Sequence, residues 1–462
     1  MKMICKRLIL LVSICWSNTL WAADFTLPEY QKIVLDNGLT VYLMEQHEVP
    51  LIDVLVTVKA GAVQDGNKAG LAKLTAENLL LGTKDLAKAD FEAKLDFIGA
   101  QINVNAGLES TFVQASFVNK DTDLVMGLLH DAVLKPAFSN DEFDKHKQRY
   151  LAGLLQQKES PKAVIKDYFN KLLFKDHPYS VLQDGDKNSI NTINSADIKA
   201  FHQRWYTPDN TAIVLVGDFD TATMLGKVKS LFTHWQGQAP AFSLPDNISS
   251  PSQASVVLVN KSDAIESTFI IGGPGIKRSN PDYVAISVIN TILGGRFTSW
   301  LNDELRVNSG LTYGARSTFD ARKQAGSFYI STFTKSDTTE QAIDLALETY
   351  ARLWGKGIDQ QTLDSAKAYV KGQFPPNYET SGELASLLAN MFIYGFDERF
   401  INTFNQQVNA LDVDKAKQII NRYFPKDNLQ MVVIGKADAI RDTVKKYGHL
   451  SEADITDSSI SF

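Results

Sequence analysis

Arg204-Trp205-Tyr206-Thr207-Pro208-Asp209-Asn210 leads into the apolar run Ala212-Ile213-Val214-Leu215-Val216-Gly217. The same pattern returns as Arg422-Tyr423-Phe424-Pro425-Lys426-Asp427-Asn428 leading into Gln430-Met431-Val432-Val433-Ile434-Gly435. The two asparagines, 210 and 428, and the two glycines, 217 and 435, are each 218 positions apart. An offset held at both ends of a motif marks an internal repeat. Each copy reads as the end of a helix, a turn set by Pro and Asn, and a short apolar run of strand length. Each copy therefore closes one half of the molecule.

The openings of the halves correspond as well. Residues 32–35 and 39–43 flank Asp36-Asn37-Gly38, a hairpin signal because Asn-Gly supplies the positive φ angles of a tight turn. A third run at 52–59 and a helix from about Gly70 follow, and the second half repeats the order with runs at 254–260 and 267–272 and a helix from about Asp282. Strands followed by clusters of helices indicate an α+β fold of two homologous domains, each a largely antiparallel sheet packed with helices. The stretch 237–255 is rich in Pro, Ser, Gln and Ala without a period and reads as the linker. The expected organisation is a domain at 23–236, the linker at 237–255, a domain at 256–452 and a polar tail at 453–462.

Residues 1–22 carry Lys2, Lys6 and Arg7, then an apolar run from 8 to 15, then a polar stretch ending in Trp21-Ala22. That is the order of a secretory signal peptide, with a mature start at Ala23. Its apolar core is far shorter than the roughly 20 residues that span a bilayer. Both cysteines, Cys5 and Cys15, lie in this segment, which leaves the mature chain without a disulfide or a thiol nucleophile. Removing it takes away three positive charges and no negative ones, so the formal charge of -6 becomes -9. Such a surface repels phosphate backbones and argues against nucleic acid as a partner.

The segment Gly70-Leu71-Ala72-Lys73-Leu74-Thr75-Ala76-Glu77-Asn78-Leu79-Leu80-Leu81-Gly82-Thr83 resembles the signature helix of the pitrilysin/insulinase family of zinc peptidases. In that family a helix between a Gly-Leu-Ala opening and a Gly-Thr close carries His-x-x-Glu-His. The two His share a helix face and bind zinc, and the Glu takes a proton from the bound water. The resemblance puts Lys73 and Glu77 at the His positions and Ala76 at the Glu. Anchored on Ser160-Pro161, it puts Gly153 at the third ligand, a Glu in the family. A lysine cannot ligate without giving up its proton, and alanine cannot activate water. The histidines at 47, 130, 146, 177, 202, 234 and 449 show no paired ligand spacing. A local reading makes Lys73 and Glu77 an i,i+4 ion pair filling a vacated site.

The second half keeps another signature. Gly294-Gly295-Arg296-Phe297, then Glu304-Leu305-Arg306, then Ser309-Gly310-Leu311-Thr312-Tyr313-Gly314 is similar to the family's C-terminal region. There an Arg and a Tyr seven residues apart reach the zinc site of another half; Arg306 and Tyr313 have that spacing. Fixed donors aimed at the carbonyl oxygen of a scissile peptide stabilise the charge that builds there. Read without the family, Arg306 is a cation suited to a helix C-terminus and Gly310 the cap that follows. Residues 102–106 and 111–117 match the family's substrate-edge strand, which recruits a peptide by adding it to the sheet.

Together the resemblance implies a non-catalytic subunit of the bacterial two-subunit type, related to the mitochondrial processing peptidase. It would be periplasmic and hold no metal of its own. It would pair with a zinc-bearing paralogous subunit and act on extended peptides, with Arg306 and Tyr313 assisting in trans. The rival reading is an inactive peptide-binding or scaffold homologue, which predicts that the Arg/Tyr pair can be changed freely. A self-sufficient zinc peptidase would need ligands the sequence does not show.

Overall fold

A computed structural model of the chain describes residues 25–246 and 248–462. The signal segment, with its charges, cysteines and cleavage site, lies outside the described residues. Twelve strands form two six-stranded sheets among the described residues. They are β1 (Gln31–Val34), β2 (Thr40–Glu45), β3 (Leu51–Val58), β4 (Gln101–Ala106), β5 (Thr111–Val118), β6 (Thr211–Gly217), β7 (Ser255–Asn260), β8 (Glu266–Pro274), β9 (Arg316–Ala321), β10 (Gly326–Lys335), β11 (Gln430–Gly435) and β12 (His449–Asp454).

The strand orders are β1-β2-β6-β3-β5-β4 and β12-β7-β11-β8-β10-β9. The repeat is visible in the pairing: β6 lies parallel to β2 and antiparallel to β3, and β11 lies parallel to β7 and antiparallel to β8. The fold is thus α+β, with two mainly antiparallel sheets packed with helices. The outer strand beside β2 is its hairpin partner β1, reached through Gly38 at φ +92°. In the second sheet that place is taken by β12, which arrives from the end of the chain and runs parallel to β7.

Every residue of the two repeat strands is buried. Both faces must therefore be covered, which is why these runs are continuously apolar rather than alternating. Val41, Leu43, Ile213 and Leu215 face one core with the helix Thr122–Leu134. Tyr42, Met44, Ala212, Val214 and Val216 face another that includes Leu384, Leu388 and Met391 of the helix Ser381–Tyr394. In the second sheet Val256, Leu258, Met431 and Val433 belong to that second core. Val257, Val259, Val432 and Ile434 pack instead on Val164, Ile165, Tyr168 and Phe169 of the helix Pro161–Phe174. Because side chains alternate across a strand, one strand serves both layers. The covering helices are exchanged: Ser381–Tyr394 lies on β3 and β6 of the first sheet, and Pro161–Phe174 lies on β8 and β11 of the second.

The stretch after Glu452, expected as a polar tail, is corrected by the structure. Ala453 and Asp454 complete β12, Ile455 is buried, and Ile460 packs against the core of the Pro161–Phe174 helix. Asn188 donates to the Ser458 hydroxyl at 3.0 Å, and the Lys158 ammonium donates to the Asp457 carbonyl. Its few apolar residues, Ala453, Ile455, Ile460 and Phe462, show no period, yet Ile455 and Ile460 carry the packing.

A polar joint also ties the halves. The Tyr179 hydroxyl donates to the Glu109 carboxylate, which accepts from the Lys323 amide at 3.2 Å, and the Gln324 amide donates back to the Tyr179 oxygen at 3.1 Å. Burial, together with the Glu109 charge, pushes the Tyr179 phenol well above its usual range and keeps it a donor.

Candidate functional site

The helix corresponding to the family's metal helix spans Leu71–Asn78. Asp65 fixes its start by accepting from the Gly70 and Ala72 amides, both at 2.8 Å. Two orphan donors of the first turn are thereby satisfied, though burial pushes the carboxyl up to about 8. Gly70 sits at φ +90°, and a Cβ there would lie 2.5 Å from the Ile190 side chain, so both the turn and the packing require glycine.

Lys73 and Glu77 form the expected i,i+4 pair, 3.6 Å apart and only about a fifth to a quarter exposed. The ammonium also donates to Asn105 Oδ1 on β4 at 3.2 Å, while the second Glu77 oxygen lies 2.7 Å from His146 Nε2. His146 comes from the helix Asn140–Gln157, and sequence reasoning missed it. It stands 69 residues from Glu77, so no local spacing announces the contact. Asp184 lies in the same field: burial raises its carboxyl, the Lys73 charge opposes that rise, and the Glu77 charge adds to it. Tyr150 donates to the Asp184 carbonyl at 2.8 Å.

This set does not suit zinc. The one carboxylate at the motif is already bracketed by a lysine and a histidine. Ala76, at the position of the water-activating Glu, is 0% exposed and belongs to the core. Gly153 is seven residues beyond His146, on the same face of its helix, and offers no side chain. Among the described residues no group of three or more His, Cys, Asp or Glu is placed to hold a metal. A charge network that ties the helix to β4 and to Asn140–Gln157 stands in the metal's place.

The second-half residues are disposed differently. Arg306 lies in the π-helical segment Asp303–Asn308, and a second π segment spans Thr291–Gly295. Sequence reading expected an ordinary helix end here; the i→i+5 bond from the Ser309 amide to the Glu304 carbonyl widens the turn. Such bulges recur at functional sites. Gly310 follows at φ +66°, as a cap should. The Gly294-Gly295 pair ends a helix rather than entering one. A Cβ on Gly294 would lie 2.3 Å from the Ser317 amide, so glycine lets the helix close on β9.

Arg306 forms no ion pair or hydrogen bond among the described residues; its guanidinium stands 4.6 Å over the Phe297 ring. Tyr313 is 81% exposed and stacks loosely on Phe333, ring centres 6.3 Å apart. Phe297 and Val307 beside them are 64% and 65% exposed. Neither polar group of the pair is satisfied by the fold among the described residues. Arg306 could fork onto a carbonyl or carboxylate and the Tyr313 hydroxyl could donate to an oxyanion.

A family model described as insulinase, peptidase family M16, matches residues 40–182, and one described as the peptidase M16 inactive domain matches residues 192–370. The Helicobacter pylori protein named non-peptidase homolog YmxG is 26% identical over 394 residues, 84% of this chain and 90% of its own length. Zinc protease PqqE of the same organism is 25% identical over 413 residues, 87% of this chain and 92% of that protein. A crystal structure titled as the peptidase M16 inactive domain from Pseudomonas fluorescens superimposes with a TM-score of 0.83 at 27% identity, covering 88% of this chain and 98% of that one. With one model falling on the altered metal helix and the other on the Arg306/Tyr313 region, this chain belongs to the insulinase family, peptidase family M16, as a homologue that lacks the family's catalytic set.

Proposed function

We propose that the chain is the non-catalytic subunit of a heteromeric, exported zinc peptidase, supplying Arg306 and Tyr313 to a zinc-bearing relative. One observation carries the reading: the metal helix has been rebuilt into a structural charge network, while Arg306 and Tyr313 stay exposed, in contact with aromatic rings but without a hydrogen bond or ion pair among the described residues. Drift in a protein with no peptidase role would leave no reason to keep both the cation, on a π-helical turn, and the phenol, seven residues on, exposed and free of hydrogen-bond partners. That one organism carries both a relative named as a non-peptidase homologue and one named as a zinc protease supports a division of labour between two such chains.

In this role the chain's residues bind and stabilise; they do not activate water. Arg306 holds a substrate carbonyl or carboxylate, Tyr313 donates to the oxygen on which charge develops, and the flanking Phe297 and Val307 shed water from the contact. The edge strand β4 offers its free side to an extended peptide. The signal-peptide pattern of residues 1–22 supports a periplasmic assembly.

Co-expression with an exported M16 relative that retains His-x-x-Glu-His tests the assembly. The account expects a complex on size-exclusion chromatography that cleaves an extended peptide far faster than either chain alone. Separate elution with unchanged cleavage overturns it. Fractionation and N-terminal sequencing check export, with a periplasmic chain starting at Ala23 expected.

A further inference from the structure

Where the first half, the connecting segment and the second half meet, they enclose a cavity of about 210 Å³. Lys59 projects from the end of β3, and Lys323 from the turn between β9 and β10. Neither ammonium has an ion-pair partner among the described residues; the Lys59 nitrogen rests 3.7 Å over the Phe392 ring. The one acid on the wall is Glu109, and it is committed to the Tyr179 hydroxyl and the Lys323 amide. Gln324 spends its side-chain oxygen on Lys277, 3.2 Å away, which leaves its NH₂ without a hydrogen-bond partner among the described residues, and Ser243 lines the same wall. Gln64 and Asn210 also line the wall, their amides turned to the Lys59 carbonyl at 3.5 and 3.3 Å, and the remaining side chains, Leu244 and Ile393 among them, are apolar.

Two cations and two neutral donors facing a space without a free acid call for an anion. Burial, reinforced by the charges of Lys323 and Lys32, pushes the Lys59 amine down to about 8, the mark of an ammonium short of a counter-charge. The carboxylate of Glu109 in the same wall opposes a doubly charged guest, so a monoanion fits better than a phosphate. The volume lies below the roughly 300 Å³ at which drug-sized sites begin, and suits a group the size of one amino-acid residue.

We propose that this cavity binds a monocarboxylate carried on a small apolar body, its carboxylate between Lys59 and Lys323 and its hydrocarbon against Leu244 and Ile393. The same chemistry is offered by a free small acid and by the C-terminal residue of a peptide.

Calorimetric titration of the mature chain at pH 7 tests this with N-acetyl-leucine, its amide, and a pentapeptide ending in leucine with either a free or an amidated terminus. Saturable one-to-one binding of at least one free acid is expected, about tenfold or more tighter than its amide. Lys59→Met weakens binding by a similar factor. Lys323→Gln and Gln324→Ala weaken it by less and decide the matter if Lys59→Met fails to fold. Binding of acetyl-leucine alone identifies free acids as the source; binding of the peptide identifies chain ends. Equal affinity for acid and amide, wild-type affinity in the lysine variants, no saturable binding at millimolar ligand, or tighter binding of sulfate than of either acid would overturn the proposal. The assay needs no second subunit, so its failure leaves the pairing reading untouched.

Discussion

Ala76 occupies the position of the family's water-activating Glu, and none of it reaches solvent. The vacated site is therefore closed by packing as well as stripped of ligands. Ala76→Glu forces a carboxylate into the core without a partner, and denaturant unfolding should show a loss of about 3 kcal/mol or more. Glu77 is held between the Lys73 ammonium and His146 Nε2. Glu77→Ala leaves Lys73 and His146 half-buried and unpaired and should cost about 1–2 kcal/mol by the same measurement. The Lys73–Glu77 pair was legible because four residues on a helix face each other whatever the fold. His146 was not, because the packing of two helices remote in sequence sets its contact. Lys59 carries a pH signature. Its folded value near 8 lies below the unfolded value of about 10.4, so between them the unfolded chain holds the proton more readily. Stability attributable to this group therefore rises with pH from about 8 to 10. In buffers free of organic acids, Lys59→Met should be more stable than wild type at pH 7, by about 1 kcal/mol after allowing for partial exposure, and the advantage should vanish by pH 10.

At the scale of elements, the continuous apolar runs 212–216 and 431–434 disclosed the fold, since only a strand covered on both faces needs such a run. What covers the outer face was not legible. The amphipathic helices Pro161–Phe174 and Ser381–Tyr394 look, in sequence, like helices of their own halves, yet each is committed to the other half's sheet. Leu388 is fully buried in that contact, and Leu388→Ala should lower stability by about 2–5 kcal/mol in denaturant unfolding, although it lies in the half opposite the strands it supports. The π-helical turns around Arg306 were equally hidden: no residue type announces a widened turn, and it is tertiary packing, of 291–295 on β9 and of 303–308 on the helix Thr339–Ala351, that surrounds them.

At the scale of the whole molecule, the exchanged helices and the Glu109–Tyr179–Gln324 joint make one folding unit of a chain whose sequence reads as two. Scanning calorimetry should give a single transition, shifted as a whole by Leu388→Ala; two separable transitions would mean that the exchanged contacts are weak. The same rigidity has a functional consequence. In the proposed role, helices exchanged between the halves would help hold Arg306 and Tyr313 in place, as fixed donors must be to favour a transition state over the ground state. The most direct test of that role is peptide turnover by the complex of this chain with a zinc-bearing M16 relative, compared among wild type, Arg306→Ala and Tyr313→Phe. The account predicts that each substitution lowers kcat about 10- to 100-fold while complex formation and zinc content stay unchanged. Wild-type turnover in both variants, with the complex intact, would contradict it.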